Sequence, residues 1–125
     1  MLARFVFAAG LLVAGTGLAR ADGDAAEGAK VFKKCSVCHV VDKPQNRVGP
    51  SLLGVIGRPA GTVEGFKYSE AMKGSGIVWS AETLDAYIAD PKGYIPGNKM
   101  AFAGLKKPEE RADVIAYIIE ASAPK

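Results

Sequence analysis

The chain has 125 residues, with 16 basic and 13 acidic side chains, one histidine and two cysteines. That length supports one domain. A formal charge of +3 is too small to point to nucleic acid, so any electrostatic partner must be recognised by a local patch.

Met1 to Arg4 makes a short positive start, and residues 5–18, FVFAAGLLVAGTGL, form an uncharged and largely apolar run. Ala19-Arg20-Ala21 follows, the small-x-small pattern that a signal peptidase cuts. The run falls short of the roughly 20 apolar residues that span a bilayer. Residues 1–21 are therefore expected to be a cleaved leader and 22–125 a single working domain; an uncleaved anchor is the alternative. Losing the leader takes Arg4 and Arg20 but no acid, which leaves 14 basic against 13 acidic side chains and a charge of +1.

Residues 24–34, DAAEGAKVFKK, read as a helix. Asp24 can cap it, Glu27 sits at the spacing of a capping box, and Gly28, Val31 and Phe32 share a face. From Ser36 to about Gly65 neither a helical nor a strand period lasts, because glycine and proline interrupt it repeatedly. A short helix is expected over Ser69 to Gly74. A firmer one runs from an N-cap at Ser80 and stops at Pro91. The last helix starts with Pro108 in its first turn, has Glu109 and Glu110 at its positive end, and carries a stripe of Ala112, Ile115, Ile118 and Ile119. No strand pattern competes, so the class is all-α. Nearly thirty residues of loop cannot bury their backbone polar groups or build a dense core alone. Something large and apolar is expected at the centre.

The stretch CSVCH, Cys35 to His39, holds both cysteines and the only histidine. A thioredoxin-like dithiol would sit at a helix start after a strand, and the residues before Cys35 are helical instead. A structural zinc site wants four ligands, and the chain has three. A plain disulfide accounts for the sulfurs but not for the adjoining histidine. C-x-x-C-H is the attachment signature of c-type haem. Two sulfurs at this spacing can reach the two vinyl groups along one porphyrin edge, and the next residue then presents its imidazole to the iron.

With one histidine, the other axial ligand must be sought among the methionines. Met1 falls in the leader, and Met72 lies in SEAMKG, where helix packing explains it. Met100 sits in YIPGNKMAF, a loop built on proline and glycine that has no packing need for a thioether. Sulfur ligation favours reduced iron and raises the potential, and two filled axial positions leave no room for substrate. Cys35, Cys38, His39 and Met100 thus point to a carrier of electrons, not an enzyme.

These residues, with VGPSLLGVIGR, GFKYSEAM, VWSAETLDAYIADPKGYIPGNKMAF and ADVIAYI, resemble the class I cytochromes c, in particular the bacterial c2 and mitochondrial-like branch, over residues 24–122. The resemblance implies four to five helices and long loops wrapped round one covalent haem c, with the first and last helices crossing at Gly28, Phe32 and Tyr117. It also implies that the Pro50 carbonyl accepts the hydrogen bond of the histidine ligand, and that Arg58, Tyr68 and Trp79 attend the haem propionates. Tyr87 would lie near the methionine sulfur and Phe102 beside the exposed haem edge. Two positions depart from the family pattern. Asn98 stands where threonine is common, and Met72 where many relatives carry asparagine.

The role implied is a mono-haem shuttle in a bacterial periplasm, monomeric, carrying single electrons from a membrane quinol–cytochrome c oxidoreductase to an oxidase or a photosynthetic reaction centre. A dedicated redox subunit of one dehydrogenase is an alternative, as is a haem peroxidase or gas sensor in which Met100 is displaced. Lys33, Lys34, Lys92, Lys99, Lys106 and Lys107 flank the residues expected at the haem edge and match the family's docking ring. The acids Asp22, Asp24, Glu109, Glu110, Asp113 and Glu120 are expected on the far side.

Overall fold

The structure is a computed structural model and describes residues 23–125; the expected leader lies outside the described residues. Five α-helices follow in chain order: α1 (Ala25–Val31), extended by a 3-10 turn at Phe32–Lys34, α2 (Glu70–Lys73), α3 (Ala81–Ala89), α4 (Pro91–Tyr94) and α5 (Pro108–Ala121). Among the described residues the only β feature is an isolated bridge between Pro59 and Val78, which agrees with the all-α class. No described helix is long and apolar enough to cross a membrane.

Local chemistry sets most helix ends. The Asp24 carboxylate accepts from the amides of Ala26 and Glu27 and starts α1. No capping box forms there, because Glu27 pairs with Lys30 at 3.0 Å and the Asp24 amide donates to Asp113 on α5 instead. Ser69 caps α2, and Ser80 caps α3 in a box completed by Thr83. Asp90 ends α3 and caps the single turn of α4, for which the sequence pattern predicts no helix. Four residues are too few to show a period.

Helices α1 and α5 cross where the family resemblance implies that they meet. A Cβ on Gly28 would run into the Asp113 backbone and Tyr117, so only glycine permits this approach. Phe32 and Tyr117 stack beside it at 5.1 Å. The buried face of α5 is Val114, Ile115 and Ile118, with Val114 fully enclosed. Ile119 turns outward and is 43% exposed, so the predicted stripe is displaced by one position on that side.

The long loop from Ser36 does more than the sequence reading allows it. Val41, Val55 and Ala60 are buried in the core beside Trp79, Leu84 and Ile95. Its backbone groups bond across the loop and to its neighbours, as in Gly49 N–H to Cys38 O, Leu52 N–H to Val40 O, and Trp79 N–H to Arg58 O. No buried side-chain polar atom among the described residues lacks a partner. Cross-loop bonding replaces the regular ladders that periodicity would reveal.

Candidate haem site

The 3-10 turn that continues α1 delivers Cys35, and a further turn bonds Cys38 N–H and His39 N–H to the Cys35 carbonyl at 3.0 Å each. This compact turn brings both thiols and the imidazole to one place. Both cysteines are free and half-buried. Burial, reinforced by Cys38 and opposed by Lys34, pushes the Cys35 thiol up to about 11. A redox dithiol needs a lowered thiol at its nucleophile, so this environment speaks against that chemistry.

His39 is held from two directions. Its Nδ1 lies 2.8 Å from the Pro50 carbonyl, which can only accept, so Nδ1 carries the proton and Nε2 keeps its lone pair. Gly49 lies against the flat of the ring, where a Cβ would sit 2.7 Å from Nδ1 and 2.8 Å from Nε2. Burial lowers the imidazole pKa, the Pro50 bond opposes this, and Arg58 adds to the lowering. The result is a neutral, oriented imidazole, the state a metal requires.

The loop after α4 presents Met100. The Tyr87 hydroxyl donates to its sulfur at 3.7 Å, and burial pushes that phenol up to about 12, so it remains a donor across the physiological range. Asn98 fixes the backbone. Its Oδ1 accepts from Met100 N–H at 2.8 Å, while Nδ2 donates to Pro91 O at 2.7 Å and Ile95 O at 2.8 Å. Past Met100, Phe102 is half-buried against the core. The loop is pinned again where Leu105 N–H reaches Ile88 O, Lys106 Nζ reaches Ala89 O and Ala103 O, and Arg111 reaches Leu105 O and Lys106 O.

Of the other predicted residues, Arg58 and Tyr68 both lie beside Val63, while Trp79 packs against Tyr87. Arg58 donates to Leu53 O at 3.2 Å and lines an open cleft of about 340 Å³ with Asn46, Ser51, Leu53 and Val63. Tyr68 accepts from Val63 N–H through its hydroxyl. Trp79 is buried against Tyr87 with ring centres 5.1 Å apart. Met72 is half-buried against the core, as its packing role requires.

The lysine ring needs revision. Glu110 does not stand on a far side: it lies 3.8 Å from Lys34 and 4.0 Å from Lys107. Lys106 spends its ammonium on two carbonyls. Lys33, Lys92 and Lys99 are exposed and make no ion pair among the described residues. Sequence reasoning singled out neither Arg111 nor the structural use of Lys106, and no local signal marks either. Their partners, loop carbonyls together with the Asp85 carboxylate at 2.8 Å from Arg111 and the Ala89 carbonyl at the end of α3, are fixed by tertiary placement.

A family model described as Cytochrome c matches residues 25–122. The chain belongs to the cytochrome c family. It is 58% identical over 104 residues to "Cytochrome c 2.1" of Caenorhabditis briggsae, covering 82% of this chain and 93% of that protein. It is 55% identical over 93 residues to "Cytochrome c2 iso-2" of Magnetospirillum fulvum, covering 74% and 97%. Among solved structures, cytochrome cH from Methylobacterium extorquens superposes with a TM-score of 0.74 at 44% identity, over 78% of this chain and 99% of that one. The fold is that of the class I cytochromes c, and the family binds one covalent haem c and carries electrons on it. The donor set here fits that group: two free thiols, a neutral imidazole with Nε2 available, and a half-buried thioether.

Proposed function

We propose that Cys35 and Cys38 tether one haem c through thioethers, that His39 and Met100 are its axial ligands, and that the protein shuttles single electrons without catalysing a reaction of its own. When bound, the haem supplies one-electron redox chemistry at iron; the chain's part is to hold and tune it. Pro50 keeps His39 in the donor tautomer. Tyr87 draws electron density from the Met100 sulfur, which favours the reduced state. Arg58, Tyr68 and Trp79 fit the neutralisation of propionates. Phe102 fits the partner-facing edge.

The single observation that carries this reading is the His39–Pro50 bond at 2.8 Å within the same turn as two free thiols. The anchoring of Met100 by Asn98 and Tyr87 favours a closed site over a peroxidase or gas sensor with a displaced ligand. The apolar leader expected at residues 1–21 supports a bacterial periplasm, where a membrane quinol-oxidising complex would be the donor and an oxidase or reaction centre the acceptor. The domain would then be residues 22–125.

Intact mass and visible spectroscopy test the core of the proposal. The mass should equal the chain from about Asp22 plus one haem, and the ferric protein should show the weak band at the red edge that marks methionine ligation. Met100→Ala should abolish that band, lower the potential and open the iron to carbon monoxide. A disulfide between Cys35 and Cys38, or a band that survives Met100→Ala, would overturn it.

A further inference from the structure

We infer that Asn98 is the positioning residue on which methionine ligation in this chain depends; the inference rests on Met100 being the axial ligand. Asn98 is 6% exposed and sits two residues before Met100. A buried primary amide offers two hydrogens and one oxygen with two lone pairs, and all of that capacity is used. The hydrogens go to Pro91 O and Ile95 O, at either end of the α4 turn. The oxygen accepts from the Met100 amide at 2.8 Å and faces the Tyr87 hydroxyl at 3.4 Å. One side chain therefore fixes the start of the loop, its middle and the ligand's own backbone.

Two consequences separate Asn98 from an ordinary buried polar residue. First, no donor remains on it to reach the haem, so its effect runs through Met100 and not through a propionate. Second, Tyr87 has one hydroxyl hydrogen and two acceptors within reach, Met100 sulfur at 3.7 Å and Asn98 oxygen at 3.4 Å. The two acceptors share one donor. The second lone pair of the Asn98 oxygen and the Met100 sulfur therefore compete for the Tyr87 hydroxyl, which couples Asn98 to the ligand a second time. Threonine, with one hydrogen and an oxygen on a shorter stem, cannot hold Pro91, Ile95 and Met100 together. A side chain that makes three bonds to backbone and shares a fourth donor with the ligand closes the loop over Met100 from within the protein.

The experiment uses holoprotein and reads the fraction of molecules with Met100 off the iron. Imidazole binds only that fraction, so its apparent affinity for ferric protein rises in proportion to it. Asn98→Thr should raise imidazole affinity at least about tenfold, the scale of one lost buried hydrogen bond, and Asn98→Ala more. Asn98→Thr should also weaken the red-edge band. The control is Ile115→Val, a buried α5 side chain that makes none of the hydrogen bonds to the Met100 loop, compared at matched loss of urea midpoint. Imidazole affinity rising in Asn98→Thr but not in Ile115→Val supports the role. Equal affinities in the two variants would reduce Asn98 to general stability and overturn it. A parent protein with no methionine band at all would remove the Met100 ligand itself, an outcome distinct from an unmoved band in Asn98→Thr.

Discussion

The two sides of the candidate site are built in opposite ways. On the histidine side everything needed lies within sixteen residues: Cys35, Cys38, His39, Gly49 and Pro50. The imidazole is fixed by one carbonyl and one close-packed glycine. On the methionine side the sulfur depends on groups scattered from Tyr87 to Arg111, through hydrogen bonds that join α3, α4 and α5 to the loop. A covalent tether needs local geometry only. A ligand held by tertiary hydrogen bonds needs the whole fold. The methionine side is therefore the one that yields first.

The largest expected effect comes from removing the tether that makes the histidine side local. Cys35→Ser/Cys38→Ser should yield protein from which acid–acetone extracts any haem, and whose amides exchange rapidly, because the group it loses supplies part of its folding free energy. Native-like protection in haem-free protein would show that the loop core of Val41, Val55 and Ala60 is self-sufficient, and would erase the distinction between the sides. Next is Gly49→Ala. Its Cβ meets the flat of the His39 ring, and overpacking of this kind costs about 1–3 kcal/mol. The urea midpoint should fall while the methionine band persists until unfolding. Early loss of the band would mean that strain crosses from one side to the other.

A smaller effect separates the sides by their lysines. Lys34 and Lys107 share Glu110, whereas Lys92 and Lys99 on the methionine side have no such partner among the described residues. Oxidation by an acidic partner should slow several-fold at low salt for Lys99→Glu, less for Lys34→Glu and least for Lys125→Glu, and the differences should vanish as salt rises. Equal slowing at all three positions would mean that net charge, and not this face, steers encounter. The smallest effect concerns Tyr87, whose pKa is raised to about 12 by burial against about 10 in the unfolded chain. Its neutral form stabilises the fold fully below pH 10, and that contribution drains away as pH climbs toward 12. Tyrosinate absorbance should therefore show one late-titrating ring, missing in Tyr87→Phe.

The same contrast explains what the sequence disclosed. CSVCH could be read because its chemistry is a spacing, and Ser69, Ser80, Asp24 and Pro108 could be read because caps act over three or four residues. Met100 was findable by elimination, from its aromatic and Pro-Gly surroundings. What held it was not. Lys106 reaches Ala89 seventeen positions away, and the bonds of Asn98 to Pro91, Ile95 and Met100 exist only once the loop folds back on α4. The outward turn of Ile119 and the inward turn of Val114 have a related cause: which face of α5 is buried depends on tertiary contacts such as its close approach to α1 at Gly28.

That crossing has a consequence for how the chain can assemble. The Asp24 amide bonded to the Asp113 carboxylate joins positions 89 apart, so the domain is topologically a ring fastened at α1 and α5. Loop-closure entropy grows only as the logarithm of length, and doubling a loop adds about 0.6 kcal/mol. Shutting the full ring therefore costs little more than shutting half of it. Because α1 runs directly into the turn that carries Cys35, the fastening also anchors one end of the attachment segment. A chain that closes its perimeter early can leave the intervening loops unsettled and still hold its two thiols at a fixed address.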